Sequence, residues 1–177
     1  MRIFTQLIAG LAALALGAVP ALAQQTPQQQ PQRPQVVTQF DNATITYLLQ
    51  DVQATWTIET NERGESNYRA RAEGDINFTM SPRACSPETG CLGLILLAVF
   101  TGVNAPSTAE LDAFVNRAND QSATAKVYRS GNNIIILQEY INAAYGISYR
   151  NAQNQLLIFG QDIVAVSRGL TQFEQGN

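Results

Sequence analysis

Residues 92–100 read Leu-Gly-Leu-Ile-Leu-Leu-Ala-Val-Phe, apolar at nearly every position. A strand with one wet face alternates apolar and polar side chains. A strand without that alternation needs cover on both faces and belongs at the centre of a sheet. The run therefore predicts a central strand with helices on one side and further helices, or a partner, on the other.

The patterns around it supply the remaining elements. Asp41 can cap a helix in which Ile45, Leu48, Leu49 and Val52 recur at i, i+3, i+4 and i+7. The period then switches to two. Trp56 and Ile58 alternate with Thr55, Thr57 and Glu59. Tyr68, Ala70 and Ala72 alternate with Arg69 and Arg71, and Ile76, Phe78 and Met80 with Asn77 and Thr79. Turns are expected at 61–64 and at Glu73-Gly74-Asp75. Ser107 and Glu110 form a capping box ahead of Leu111, Phe114, Val115 and Ala118. Two strands, Ala125–Tyr128 and Ile134–Leu137, flank the tight turn Ser130-Gly131-Asn132. A final helix begins at Ser148 and carries an apolar stripe of Tyr149, Ala152, Leu156, Phe159, Ile163, Val166 and Leu170, widened by Leu157 and Val164. The order α-β-β-β-β-α-β-β-α predicts an α+β fold: a twisted antiparallel sheet with helices on one face.

The N-terminus bears on location. Arg2, an apolar run from Ile3 to Val19, and small residues at Ala21 and Ala23 have the form of a secretory signal peptide (1–23) cut after Ala23. Residues 24–39, rich in Gln and Pro, read as a disordered linker, and 40–177 as one domain. Periplasmic or secreted is the expected destination, where disulfides persist. No later apolar run approaches the roughly 20 residues that a membrane helix needs.

Composition narrows the chemistry. The chain has no histidine, which removes Ser-His-Asp and Cys-His catalysis and HExxH metal sites. It has 11 basic and 14 acidic residues; without Arg2 the balance is 10 to 14, a net charge of −4. A mildly acidic chain whose single lysine is Lys126 lacks the basic footprint of a nucleic-acid binder. Cys85 and Cys91, the two cysteines, enclose Ser-Pro-Glu-Thr-Gly between predicted strands. That spacing suits a staple across a hairpin; redox chemistry wants CxxC at a helix N-terminus. Glu59, Glu62, Glu65 and Asp75 lie near turns without a calcium-loop register. Asn42 and Asn77 sit in sequons. Arg69, Arg71, Lys126 and Arg129 are candidates for a small anion or acidic-peptide site. No catalytic residue, cofactor site or metal site is identified.

Several of these pieces together resemble the YbjN family of bacterial domains, labelled sensory transduction regulators. The Cys85…Cys91 pair opens into the 92–100 strand. Asn116-Arg117-Ala118-Asn119 resembles the family's Asn-x-Trp-Asn segment, with Ala118 in place of Trp. Ala125-Lys126-Val127-Tyr128 resembles its Arg-Ala-Tyr strand. Ser130 replaces an acidic turn residue, and the long last helix completes the likeness over residues 41–173. The resemblance implies a fold similar to type III secretion chaperones, often dimeric and binding other polypeptides, and no catalytic residues.

The expected function is a non-enzymatic, secreted adaptor with a chaperone-like or regulatory role, binding another polypeptide or a second copy of itself. Leu156, Phe159, Ile163, Val166 and Leu170 are the candidate contact residues. The alternative is a small-molecule sensor or carrier with a pocket lined by Trp56, Tyr68, Phe78 and Phe100.

Overall fold

The structure is a computed structural model that describes residues 33–62, 65–104 and 107–175. Contacts divide the chain into Met1–Pro31 and Gln32–Asn177, and all described residues belong to the second unit. The expected signal peptide, most of the Gln/Pro segment and half of the 61–64 turn lie outside the described residues.

The elements follow the expected order, with two short strands added. They are β1 (Val36–Val37), α1 (Asn42–Asp51), β2 (Thr55–Thr60), β3 (Ser66–Ala72), β4 (Ile76–Ser86) and β5 (Gly90–Thr101). Then come α2 (Thr108–Gln121), β6 (Lys126–Arg129), β7 (Ile134–Asn142), β8 (Ile147–Ser148) and α3 (Tyr149–Glu174). Six strands form one antiparallel sheet in the order β2-β3-β4-β5-β7-β6, and β1 pairs with β8 beside it. The apolar run at 92–100 lies in β5, an interior strand between β4 and β7.

Local chemistry sets the element ends. The Asp41 carboxylate accepts the Thr44 amide at 2.8 Å, and the Ser148 hydroxyl accepts the Asn151 amide at 3.1 Å. Ser107 accepts the Glu110 amide at 3.2 Å, but the Glu110 carboxylate takes the Ser107 hydroxyl at 2.8 Å rather than its amide. Gly74 (φ 78°) and Asp75 (φ 61°) adopt left-handed backbone at the β3–β4 turn, where glycine carries no steric penalty.

All three helices lie against one face of the sheet. Inward positions Tyr68 and Ala70, Phe78 and Met80, Leu94, Leu96 and Ala98, and Ile135, Leu137 and Ile141 are buried. α3 lays its whole stripe, Tyr149 to Leu170, on this face; Phe159 is fully buried and meets Phe78 edge-on at 6.4 Å. Asn119 on α2 grips β6 at the sheet edge. Its Nδ2 donates to the Val127 carbonyl and its Oδ1 accepts the Val127 amide, both at 2.8 Å. An edge strand normally leaves such groups unpaired, so this asparagine substitutes for a further strand.

Three expectations are corrected. Folded structure starts before residue 40. Val37 and Phe40 are buried, Val36 and Val37 pair with β8, and the Tyr149 amide donates to the Gln35 carbonyl at 2.9 Å. The apolar residues that follow the Gln/Pro tract can be buried, so the linker ends earlier than residue 39. Ile58 is 48% exposed because β2 is an edge strand and most of its length lies beyond the helices. β5 is central but not covered twice: no described element lies on its second face.

Candidate interaction surface

The uncovered face is assembled from alternate residues of five strands. β3 contributes Arg69 and Arg71, β4 Thr79, Ser81 and Arg83, β5 Ile95, Leu97 and Val99, β7 Ile136, Gln138 and Tyr140, and β6 Lys126 and Tyr128, whose hydroxyl donates to Gln138 at 2.9 Å. Register makes them neighbours: Thr79 faces Leu97, Arg83 faces Gly93, Val99 faces Ile136 and Ile95 faces Tyr140. The β3–β4 half is polar. The β5–β7 half is mostly apolar, with Val99 50% and Tyr140 48% exposed and Gln138 the polar residue opposite Leu97. A Cβ at Gly93 would stand 2.1 Å from the Tyr140 hydroxyl, so the missing side chain lets that ring lie down across β5. Between the halves is a basin of about 620 Å³ lined by Asn67, Arg69, Thr79, Ser81, Arg83, Leu97 and Val99, among others.

A second hollow runs along the outer flank of α3. Val52, Ile76, Phe78, Leu157, Gly160 and Val164 line a groove of about 560 Å³, with Glu73 and Arg168 at its rim. Leu157 is 45% exposed there. A third hollow, of about 260 Å³, lies between α2 and α3 and includes Arg117, Ser122 and Asp162.

The sequence-derived candidates are placed as follows. Cys85 and Cys91 face each other across the β4–β5 hairpin and form the disulfide. Leu156, Phe159, Ile163, Val166 and Leu170 are not a surface. All are buried in the chain's own core, because the sheet itself absorbs the stripe, and the residues left free on that helix are those that widened it, Leu157 above all. Trp56, Tyr68, Phe78 and Phe100 do not converge on one pocket; Tyr68 is buried with its hydroxyl donating to Asn42 at 3.0 Å, and Phe78 alone reaches the α3 groove. Burial raises the Tyr68 phenol's pKa, and the Asp41 charge adds to it.

The four basic candidates do not meet either. Arg69 pairs with Glu59 at 2.8 Å, Arg71 with Asp75, and Arg129 with Asp112 at 3.0 Å; Lys126 stands apart on the open face. Among the described residues no group of three or more His, Cys, Asp or Glu is arranged to hold a metal ion, and no helix is long and apolar enough to cross a membrane.

Two residues escaped the sequence reading. Arg83 lies on the open face, and among the described residues its one hydrogen bond runs from its own guanidinium to the Pro82 carbonyl. Glu139 points inward from β7 and is 3% exposed, with neither carboxylate oxygen in hydrogen-bonding geometry to another described residue. Burial pushes its pKa up to about 7; Thr124 opposes the rise, and the charge of Asp162 on α3 adds to it. Both residues become visible once β4 and β7 are extended past the apolar stretches that announced them, to Ser86 and Asn142. Elsewhere Tyr149 donates to Asp51 at 2.9 Å, and burial followed by that bond raises its pKa strongly.

No protein-family profile matches the chain, and no curated protein matches its sequence. Solved structures do match. YbjN from E. coli, a candidate transcription regulator, superimposes with a TM-score of 0.53 at 13% identity over 74% of this chain and 90% of that one. The chain has a YbjN-like fold. An uncharacterised protein from Methanothermobacter thermautotrophicus gives the same TM-score at 11% identity, over 75% of this chain and 95% of that one. At such identities the likeness is one of architecture, and the function of a YbjN-like fold has to be argued from its surfaces.

Proposed function

We propose that the chain is a secreted, non-enzymatic binding protein whose uncovered sheet face takes a segment of another polypeptide, in a chaperone-like or regulatory role. One observation carries this reading: the outward side of β5 and β7 is mostly apolar in an antiparallel sheet, Ile95, Leu97, Val99, Ile136 and Tyr140 being interrupted by Gln138 alone among their central positions. Antiparallel sheets often leave one face wet, but that face is then polar. Contiguous exposed apolar surface is the usual mark of a contact site. The secretory part rests on the first 23 residues, and the non-enzymatic part on a sequence without histidine.

The test is binding of reduced, carboxymethylated α-lactalbumin, a permanently unfolded polypeptide, followed by fluorescence anisotropy. Val99→Asp and Leu97→Asp should each weaken binding at least tenfold while thermal unfolding stays cooperative. Equal binding by folded variants would contradict the reading. For location, an exported protein beginning at Gln24 is expected; an uncut protein retained in the cytoplasm would contradict it.

The α3 groove supports a second reading, a carrier of a small apolar molecule. Its volume suits such a ligand. Gly160 leaves open space there, since nothing lies within 4 Å of an added Cβ. A Gly160→Leu variant that sheds a retained ligand but still binds the unfolded polypeptide would assign the groove to that second role.

A further inference from the structure

The charges on the open face run against those of the chain. The whole sequence is net −3. The face carries Arg69, Arg71, Arg83 and Lys126 against Glu59, whose carboxylate is spent on Arg69. Arg71 is spent on Asp75 at the turn. Arg83 and Lys126 remain without an acidic partner among the described residues. They stand on β4 and β6, on either side of the mostly apolar strip that β5 and β7 present between them, with Gln138 between Leu97 and Lys126.

We infer that the partner segment is acidic as well as apolar: its apolar side chains cover Leu97, Val99 and Ile136 while its carboxylates meet Arg83 on one flank and Lys126 on the other. The inference rests on the polypeptide-binding reading above and adds the chemistry of the partner. Complementary rim charges set partner choice, speed association and repel the wrong sign. Both cations reach solvent, so each contributes modestly and is screened by salt. An unpaired Arg also has a planar fork suited to a carboxylate. Two spaced cations with an apolar centre fit an amphipathic segment better than a phosphate backbone, which demands a denser basic surface.

The test uses two synthetic 20-residue amphipathic peptides of Leu and Ala, one with Glu at every polar position and the other with Lys. The mature protein should bind the Glu peptide at least tenfold more tightly than the Lys peptide, and the preference should shrink as salt rises from 50 to 500 mM. Arg83→Gln with Lys126→Gln should cost about fivefold for the Glu peptide, and Arg83→Glu with Lys126→Glu should reverse the order of the two. These positions are solvent-accessible, and an unchanged thermal midpoint checks that the fold persists. Equal binding of both peptides, or tighter binding of the Lys peptide, would overturn the charge inference while leaving polypeptide binding intact. Binding of neither peptide, together with no binding of unfolded α-lactalbumin, would overturn both. Capture of phosphatidylglycerol vesicles or duplex DNA without the Glu peptide would also overturn the inference and reassign the face.

Discussion

The two faces of β5 have nearly the same composition and opposite surroundings. Leu94, Leu96 and Ala98 point to the helices and are buried to within 2%. Ile95, Leu97 and Val99, one residue out of phase, point where no described element lies, and Val99 is half exposed. On β7 the contrast runs the other way. The covered side carries Glu139 among Ile135, Leu137 and Ile141, while the open side carries Ile136 and Tyr140 about a neutral Gln138. Apolar side chains on the covered side are explained by the fold. Those on the open side are not, and a surface-exposed carboxylate would have been cheaper there than at position 139. The open face is therefore where function is to be sought.

That contrast can be broken by mutation. Phe159→Ala removes a fully buried ring from the covered side and should cost about 4 kcal/mol in urea unfolding; Leu97→Ala on the open side should cost under about 1 kcal/mol. Comparable losses at both positions would mean that the open face is packed within the chain after all.

Glu139 sharpens the covered side. Its folded pKa of about 7 lies above the ordinary carboxylate value of 4.5, so the folded state holds the proton more tightly than the unfolded one. Stability from this group is thus full below about pH 4.5 and declines as pH rises towards 7. At about 1.4 kcal/mol per pH unit the decline totals about 3 kcal/mol. Glu139→Gln should therefore stabilise the protein at pH 8 by up to about 3 kcal/mol and change little at pH 4. A uniform effect at both values would contradict the assignment.

The Cys85–Cys91 staple closes a short loop at the far end of the β4–β5 hairpin. A paired Cys85→Ser and Cys91→Ser change should lower stability by about 2 kcal/mol and leave unfolded α-lactalbumin bound. Lost binding at unchanged fold would instead give the disulfide a functional role.

Much of this architecture was legible because periodicity reports burial directly. The capping residues Asp41 and Ser107, the start of the last helix at Ser148, the α3 stripe and the central place of β5 all follow from local pattern. The surface was harder to read. A stripe such as Leu156 to Leu170 has the same spacing whether it meets its own sheet or a partner, and only the tertiary structure assigns it to the core. The 92–100 run asks for cover on two faces but cannot say whether the second cover belongs to the same chain. Arg83 and Glu139 owe their meaning to strand register, which is set by pairing with β5 rather than by their own neighbours.

The most direct test of the account is a methyl NMR titration of the protein with unfolded α-lactalbumin. Signals from Ile95, Leu97, Val99 and Ile136 should shift, while those of Leu96, Ile135 and Leu137, one residue away on the same strands, should stay in place. Shifts confined to Leu157 and Val164 on α3, or absent from the open face altogether, would contradict it.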